Sequence, residues 1–316
     1  MTPLPTPQQL RYLLALAEHQ HFGRAAAACA VTQSTLSAGL VALERQLDAG
    51  LLDRSAGKRV VFTPLGQEVL ERARAAIGAL EAVAETAAAA RAPMTGPLRL
   101  GVIPTIGPFL LPRLMPALRA AFPRLRLYLR EDVTGRLVSQ LAAGRLDLVL
   151  LALPCECGAA ETLPLGRDEF LAALPPGHAL AERAAVPLAA LAAERLLLLE
   201  DGHCLRDQAL AACGPSRGGE AAPDGFAATS LHTLVQMVAG GLGVTLLPRL
   251  ALDGGVASGA ELAIRPLAGR GAWRTLGLAW RPNAPRAADF RNLAAVLLRT
   301  TEDEAGPAEG HAASAG

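Results

Sequence analysis

The chain has 316 residues, of which 51% are hydrophobic and 19% are charged, and its formal net charge is +1. This composition excludes a largely disordered chain, and the length predicts two or three folded domains. No apolar run reaches the roughly 18 residues that a membrane-spanning helix requires, and the first ten residues lack the basic and apolar parts of a signal peptide. We therefore expect a cytoplasmic protein with no membrane partner.

Five cysteines stand at positions 29, 155, 157, 204 and 213, and none of them forms a Cys-x-x-Cys pair. A disulfide framework and a tetrahedral zinc site are therefore not expected, and free thiols are. No metal or cofactor is predicted. We interpret Cys155 and Cys157 as idle, with metal binding or a competing disulfide as the alternatives, and Cys29 as a core residue.

Apolar periodicity predicts three helices within the first 47 residues. The third helix carries leucines every three or four residues, and its first turn exposes small hydrogen-bonding side chains, namely Gln33, Ser34, Thr35 and Ser37. Two helices joined by a short turn, the second beginning in this way, are typical of a helix-turn-helix that enters the DNA major groove. The alternative is an ordinary three-helix bundle in which these residues only cap a helix.

Two short apolar segments, 51–54 and 60–63, predict a pair of strands around a basic turn. The turn holds Arg54, Lys58 and Arg59, which could meet DNA phosphates together, although a solvated loop is the alternative. This pattern predicts a wing. Residues 1–65 are thus predicted to be a winged helix-turn-helix domain whose partner is double-stranded operator DNA.

The segment after Pro64 contains strong helix formers and a heptad-like repeat. The apolar positions alternate by four and three residues, at Val69, Ala73, Ala76, Leu80, Val83 and Ala87. Such a seam could pack against its own domain, but a helix that connects two modules favours pairing with a second copy. Residues 66–94 are therefore predicted to be a dimerisation linker helix, since a dimer suits palindromic half-sites.

Strand and helix patterns alternate from residue 95 onward, which predicts an α/β domain with a mainly parallel sheet. We expect a two-lobed, periplasmic-binding-protein-like effector domain over residues 95–301. Lobe I would comprise about 95–167 and 271–301, and lobe II about 168–270, with a ligand cleft between them. Residues 302–316 are rich in Ala, Gly and Glu and predict a disordered tail.

Cys204 lies at a predicted strand-to-helix junction beside His203 and Arg206. Free backbone N–H groups, the helix dipole and basic neighbours all favour a thiolate. Asp201 or Asp207 could orient a side chain or cap the helix. Because lone cysteines are more often inert and buried than reactive, this cluster alone leaves both interpretations open.

Cys213 follows Cys204 by nine residues that contain no Gly or Pro. In a helix these nine steps span about 13 Å, whereas a disulfide needs Cα atoms within about 7 Å. A bond between the two thiols would therefore require the helix to unwind or bend. This incompatibility makes the pair a candidate redox switch.

Residues 8–65 resemble the winged helix-turn-helix of LysR-type transcription regulators. Residues 238–248, with the sequence Val-Ala-Gly-Gly-Leu-Gly-Val-Thr-Leu-Leu-Pro, resemble a stretch of the effector domains of that family. The segment 202–208 together with Cys213 resembles the members of the family that sense hydrogen peroxide. The similarity extends to about Leu298.

This resemblance implies that Cys204 is the peroxidatic thiol, which forms a sulfenic acid, and that Cys213 resolves it to a disulfide. It further implies that hydroxyls hold the peroxide and that other polar groups complete the pocket, namely Thr105, Thr134, His203, Asp207 and Arg274. The alternatives are structural roles. The two threonines could cap helices, His203 could be a core imidazole, and Arg274 could form an ion pair between the lobes.

The sequence departs from the family pattern at Ala38 and Gly39, where larger polar or basic side chains are usual in the recognition helix. A glycine within a helix costs about 1 kcal/mol relative to alanine. The sequence therefore does not define the operator.

The patterns predict a DNA-binding regulator and not an enzyme. The resemblance implies that it changes its DNA binding and the transcription of oxidative-stress genes when peroxide oxidises Cys204. The resemblance implies an activator that forms homodimers and a dimer of dimers, with RNA polymerase as a further candidate partner. One alternative is a LysR-type regulator that binds a small organic anion in its cleft. Another is a thiol peroxidase, which would have no use for a wing or a heptad seam.

Overall fold

The computed structural model describes residues 4–53, 59–213, 228–269 and 272–302. The chain divides into two compact units, one of residues 1–91 with the turn 142–145 and one of the remaining residues. Two of the basic residues predicted for the wing, Arg54 and Lys58, lie outside the described residues. So does the predicted tail from residue 303 onward.

Over residues 4–53 and 59–91, the N-terminal unit has four helices, α1 (Pro7–His19), α2 (Phe22–Ala28), α3 (Gln33–Leu47) and α4 (Pro64–Arg91). The side chains of Thr6, His21 and Thr32 accept hydrogen bonds from backbone N–H groups and so define the starts of the first three. Helices α2 and α3 meet at 97° across a short break. This angle confirms the predicted helix-turn-helix.

No helix in the described ranges is by itself long and apolar enough to span a membrane. One bent pair, α2 with α3, passes the same test by length and composition only.

Gly39 on α3 faces the ring of Tyr12 on α1. A Cβ atom at this position would lie 2.6 Å from Cδ2 of Tyr12, which is closer than packed atoms approach. The glycine therefore allows α1 and α3 to pack closely around a ring that is itself buried. Its departure from the family pattern has a structural cause in this chain.

The wing is shorter than predicted. In place of two strands, the structure has one antiparallel bridge between Leu52 and Phe62. Flanking hydrogen bonds run from Asp53 N to Val61 O (2.8 Å) and from Thr63 N to Leu51 O (3.0 Å). The predicted pairing is present, and within the described residues the two short strands are reduced to this bridge and its flanking hydrogen bonds.

Helix α4 has two different surfaces along its length. Leu70, Ala73 and Ile77 are buried in the core of the N-terminal unit. Leu80 and Val83, further along, are 48% and 70% exposed. The first part of the helix therefore packs on its own unit, as the alternative interpretation had it, while the later part of the predicted seam is uncovered.

The C-terminal unit contains seven strands and seven helices in the part of the chain that the structure describes. The strands are β1 (Gly96–Val102), β2 (Leu125–Glu131), β3 (Leu148–Leu153), β4 (Glu161–Leu174), β5 (Thr245–Pro248), β6 (Ala263–Arg265) and β7 (Trp273–Trp280). The helices are α5 (Gly107–Ala121), α6 (Thr134–Ala142), α7 (Leu188–Leu191), α8 (Cys204–Cys213), α9 (Leu231–Ala239), α10 (Arg249–Asp253) and α11 (Ala287–Glu302). A short 3-10 helix covers Ala179–Glu182.

The strand order is β2-β1-β3-β7-β4-β5, and β6 also pairs with β4. Only β1 with β2 and β1 with β3 are parallel among these strand pairs. The expectation of a mainly parallel sheet was wrong, because β4 and β7 run antiparallel to their neighbours. The first part of β4 pairs with β7 and its last part with β5 and β6, so this strand passes from one lobe to the other as predicted. A further predicted strand, 196–199, is reduced to two isolated bridges.

Three strands of lobe I end at the same edge of the sheet. Because β1 is parallel to both β2 and β3, their carboxyl ends lie side by side. The chain leads from these ends into Thr105, Thr134 and Cys155, respectively. Ligands of open α/β sheets bind at such edges, so the fold brings these three side chains toward one region.

Candidate functional site

Cys204 is the first residue of α8. The turn before it contains Gly202 with a φ of +93°, which only glycine adopts readily. The N–H of Arg206 then donates to the carbonyl of His203 at 2.9 Å. The backbone of Ala152 on β3 is near enough to the Cys204 sulfur to lower the pKa of the thiol. The helix start and the sheet edge therefore fix the thiol together.

A cavity of about 550 Å³ lies beside Cys204. Its walls come from α6, from the loop after β3 and from α8. They include Thr134, Cys155, Cys204, Asp207 and Gln208. Two of the side chains predicted for the pocket, Thr134 and Asp207, thus share a cavity with the thiol.

Two buried polar atoms of this cavity lack a hydrogen-bond partner among the described residues. They are Oγ1 of Thr134 and Oε1 of Gln208. The Thr134 hydroxyl is near enough to the Cys204 sulfur to lower its pKa, but it does not make an aligned hydrogen bond. Because buried polar atoms are nearly always paired, a small molecule that both donates and accepts would satisfy this site. Thr134 does not act as the helix cap that the alternative interpretation proposed.

Arg274 on β7 forms a buried network next to the thiol. Its Nε and Nη2 atoms both lie 2.8 Å from Oδ2 of Asp168, which is directly opposite on β4. Its Nη1 donates to the Thr105 hydroxyl at 2.7 Å, and Nη2 donates to the Thr105 carbonyl at 2.9 Å. Oδ1 of Asp168 accepts from the Leu250 N–H at 2.9 Å. The ion-pair interpretation of Arg274 is therefore correct in part, and Thr105 binds Arg274 instead of capping α5.

Sequence reasoning missed two residues of this region, Asp168 and Gln208. Asp168 contacts Arg274 across 106 positions of sequence, and no local pattern indicates such a pairing. Gln208 follows Cys204 by one helical turn, so its place on the same face could have been found from helical spacing. Thr105 and Arg274 do not line the cavity itself.

The electrostatics of Cys204 differ from the prediction. Burial raises the pKa of its thiol, and the positive charge of Arg274 and the Thr134 hydroxyl only partly oppose this. His203 and Arg206, the basic neighbours expected from the sequence, do not lower the pKa of this thiol. Burial lowers the pKa of His203, which disfavours the charged form of its imidazole, while Glu200 partly opposes this. The guanidinium of Arg206 instead contacts Asp201 at 2.9 Å and the Leu199 carbonyl at 3.2 Å.

A raised pKa predicts a pH dependence for Cys204 reactivity. Below its pKa the thiolate fraction increases about tenfold per pH unit, so iodoacetamide should alkylate Cys204 at a rate that still climbs from pH 6.5 to pH 8.5. Quenched alkylation followed by mass spectrometry of the tryptic peptide 196–206 measures this rate. A rate that levels off below pH 7 would contradict the burial argument.

Cys213 occupies the other end of α8, which is continuous between the two thiols. Both side chains are free thiols, and burial raises the pKa of Cys213. The helix predicted between them is therefore present. It separates the residues by about 13 Å along its axis.

Cys155 and Cys157 form a disulfide, with their Cα atoms 5.2 Å apart. The expectation that these two thiols would be free and idle was wrong, because the short loop after β3 turns their side chains toward each other. In the described parts of the chain, no group of three or more His, Cys, Asp or Glu side chains is placed to hold a metal ion. Cys29 packs at the edge of the N-terminal core, where burial raises its pKa.

The predicted DNA-contacting residues lie at the start of α3 and near the wing. Gln33, Ser34 and Thr35 are exposed, and Ser37 is half-buried. The Thr32 hydroxyl bonds the hydroxyls of Ser34 and Thr35, both at 2.8 Å, which orients this turn. Arg59 is exposed beside the bridge.

A helix-turn-helix unit and a two-lobed α/β unit with a mixed sheet define a class of bacterial transcription regulators. Residues 7–67 match the bacterial regulatory helix-turn-helix proteins of the lysR family, and residues 91–302 match the LysR substrate binding domain. The chain therefore belongs to the LysR family.

Individual members of this family are similar to the chain over nearly its whole length. The chain is 42% identical to the Escherichia coli (strain K12) protein named DNA-binding transcriptional dual regulator OxyR, over 92% of this chain and 94% of the relative. It is 42% identical to a probable hydrogen peroxide-inducible genes activator of Streptomyces viridosporus, over 95% of both. The resemblance seen in the sequence is confirmed.

Two solved structures of proteins named OxyR are also similar to the chain. Full-length OxyR of Pseudomonas aeruginosa, with a cysteine-to-aspartate substitution, matches with a TM-score of 0.76 and 35% identity, over 93% of this chain and 98% of that one. A cysteine-to-serine mutant of Corynebacterium glutamicum OxyR with bound H2O2 matches with a TM-score of 0.63 and 35% identity, over 95% and 96%.

Proposed function

We propose that the chain is a DNA-binding transcription regulator that senses hydrogen peroxide by oxidation of Cys204 and disulfide formation with Cys213. The observation that carries this proposal is the cavity in which the Cys204 thiol adjoins two buried, unpartnered polar atoms, Thr134 Oγ1 and Gln208 Oε1. Hydrogen peroxide donates two hydrogen bonds and accepts several, so it suits both atoms. The printed names of the relatives support the same ligand.

In the first step, the Cys204 thiolate attacks one peroxide oxygen and the O–O bond breaks. The sulfur becomes a sulfenic acid, and the second oxygen leaves as hydroxide, which takes a proton to form water. The positive charge of Arg274, fixed by Asp168 and Thr105, stabilises the thiolate. Asp207 lines the same cavity, and its negative charge raises the pKa of the Cys204 thiol. It therefore adds a polar group to the site but does not activate the sulfur.

In the second step, the Cys213 thiol displaces water from the sulfenic acid and forms the disulfide. Because α8 keeps the two residues apart, this bond forms only if the helix unwinds. His203 and Arg206 precede and follow Cys204 and would move with this segment. Oxidation thereby changes the shape of the effector unit, which is the signal.

For DNA recognition, we assign Gln33, Ser34, Thr35 and Ser37 to the major groove. The exposure of the first three at the start of α3 supports this role. Arg59, with Arg54 and Lys58, would contact phosphates.

We assign residues 1–65 to DNA binding, 66–94 to dimerisation and 95–301 to sensing, in lobes with the bounds given above. The exposed Leu80 and Val83 support a homodimer formed through α4. Pairing of dimers and contact with RNA polymerase remain part of the proposal by family resemblance.

Replacing both exposed residues by glutamate should weaken the dimer, because charges at an apolar seam remain unpaired when buried. We expect at least a tenfold increase in the dimer dissociation constant of Leu80→Glu/Val83→Glu in sedimentation equilibrium. Ala75→Glu, at an exposed position of α4 outside the seam, is the control. Equal dissociation constants for the two variants would remove α4 as the interface.

The sensing proposal is tested by footprinting a promoter fragment with reduced and peroxide-treated protein. We expect the footprint of the natural chain to change on oxidation and that of Cys204→Ser to remain in its reduced form. Cys29→Ser, which alters a thiol of the other unit, should behave like the natural chain. A peroxide response in Cys204→Ser would refute the role of this thiol, and a response only to an organic anion would favour the alternative LysR-type effector.

We infer further that the chain acts as a regulator and not as a peroxidase. One chain should therefore consume a fixed number of peroxide equivalents and then stop until a reductant restores its thiols.

A further inference from the structure

The Cys155–Cys157 disulfide lies at the same cavity as Cys204. Cys155 lines this cavity together with Thr134 and Gln208. Cys157 is 8% exposed and belongs to the core of the unit. Cys155 therefore borders the proposed peroxide site, whereas Cys157 belongs to the core.

Covalent geometry limits how far Cys155 lies from Cys204. The backbone of Ala152 on β3 is near enough to the Cys204 sulfur to lower its pKa, and Cys155 follows Ala152 by three residues. Three residues span at most about 11 Å when fully extended, which limits the distance between the Cα atoms of Ala152 and Cys155. The segment 154–157 is neither helix nor strand, so its movement breaks no helical hydrogen bonds, whereas Cys213 reaches Cys204 only by unwinding α8.

A stabilising role explains the disulfide poorly. It joins residues only two positions apart, and the stabilisation that a disulfide gives by restricting the unfolded chain is smallest for such short loops. The same structure holds Cys204 and Cys213 as free thiols.

We propose that Cys155 and Cys157 form a second redox pair that takes oxidising equivalents from Cys204, an inference that rests on the proposed function of Cys204. Starting from three thiols, peroxide converts Cys204 to its sulfenic acid and releases water. The Cys155 thiol then attacks the Cys204 sulfur, which releases a second water and forms a Cys204–Cys155 disulfide. Cys157 next attacks Cys155, and Cys204 leaves as a thiol.

The balance of this sequence is one H2O2 and two thiols converted into one disulfide and two waters, with Cys204 restored. The first peroxide molecule that reacts with each chain therefore oxidises the Cys155–Cys157 pair. Only a second molecule leads to the disulfide between Cys204 and Cys213. The pair thereby sets a threshold, because a low dose of peroxide is absorbed without unwinding α8.

The test uses full-length protein reduced with a phosphine and then treated with one equivalent of peroxide. Trypsin places the pair on the peptide 146–167, Cys204 on 196–206 and Cys213 on 207–217, so each link has its own mass. We expect the disulfide within 146–167 to form at least ten times faster in the natural chain than in Cys204→Ser. In Cys157→Ser, the peptides 146–167 and 196–206 should become linked through Cys155.

Equal rates in the natural chain and Cys204→Ser, or no such link in Cys157→Ser, would overturn the relay. A dimedone adduct of Cys204, or its link to Cys213, reports the proposed function separately. If either forms but Cys155 is never linked, only the relay fails. If Cys204 is not oxidised in any variant, the proposed function fails with it.

Discussion

Replacing Asp168 by asparagine is expected to lower the free energy of unfolding of the C-terminal unit by about 3–5 kcal/mol. The substitution leaves the guanidinium of Arg274 buried without its counter-charge, since the side chains of Arg274 and Asp168 are 0% and 3% exposed. Both tryptophans of the chain, Trp273 and Trp280, lie on β7. Urea unfolding followed by their fluorescence therefore reports on this unit.

A neighbouring carboxylate provides a matched control. Glu169 pairs with Arg249 at 3.5 Å, and both side chains are at least half exposed. Glu169→Gln should cost less than about 1 kcal/mol, because exposed ion pairs contribute little. Asp168→Leu/Arg274→Met should recover much of the lost stability, since it removes both buried charges together. Similar losses in Asp168→Asn and Glu169→Gln would show that the buried pair is not critical.

Peroxide treatment is expected to remove the protection of α8 against amide hydrogen exchange. A Cys204–Cys213 disulfide brings the Cα atoms within about 7 Å, and the intact helix holds them about 13 Å apart, so the hydrogen bonds between the cysteines must break. We expect exchange in residues 205–212 to accelerate at least about 100-fold, the loss of roughly 2.7 kcal/mol of local protection. Mass spectrometry of quenched samples measures this acceleration.

The control for this measurement is Cys213→Ser, which can form the sulfenic acid but not the crosslink. Its α8 should stay protected after peroxide treatment. Helix α9 (Leu231–Ala239) serves as an internal reference, since neither thiol lies on it. An oxidised natural chain that carries the Cys204–Cys213 link and still protects α8 would contradict the proposed conformational signal.

Local periodicity was sufficient to predict most elements of this fold. The leucines of α3, the helix between Cys204 and Cys213 and the strand Trp273–Trp280 were all indicated by short-range patterns. Such patterns report which face of an element is buried, and burial is the main force that forms these elements. The strand directions in the sheet did not follow from them, because β4 and β7 pair with partners far away in sequence.

The candidate site was less predictable, for physical reasons that differ among its parts. The Asp168–Arg274 pair depends on two strands that meet across about a hundred residues. The Cys204 pKa depends on burial, which sequence neighbours such as His203 and Arg206 do not reveal. The bond between Cys155 and Cys157 depends on the path of a loop, for which residue type gives no rule.

The buried face of α8 favours the return of the protein to its reduced form after peroxide stress. Leu205, Ala209 and Cys213 recur every fourth residue and are buried against the core. Unwinding the segment would withdraw these side chains from apolar surroundings, at a cost of about 2 kcal/mol for a leucine alone. Unwinding therefore raises the free energy of the oxidised form. Once a cellular thiol reduces the disulfide, α8 refolds spontaneously and needs no chaperone.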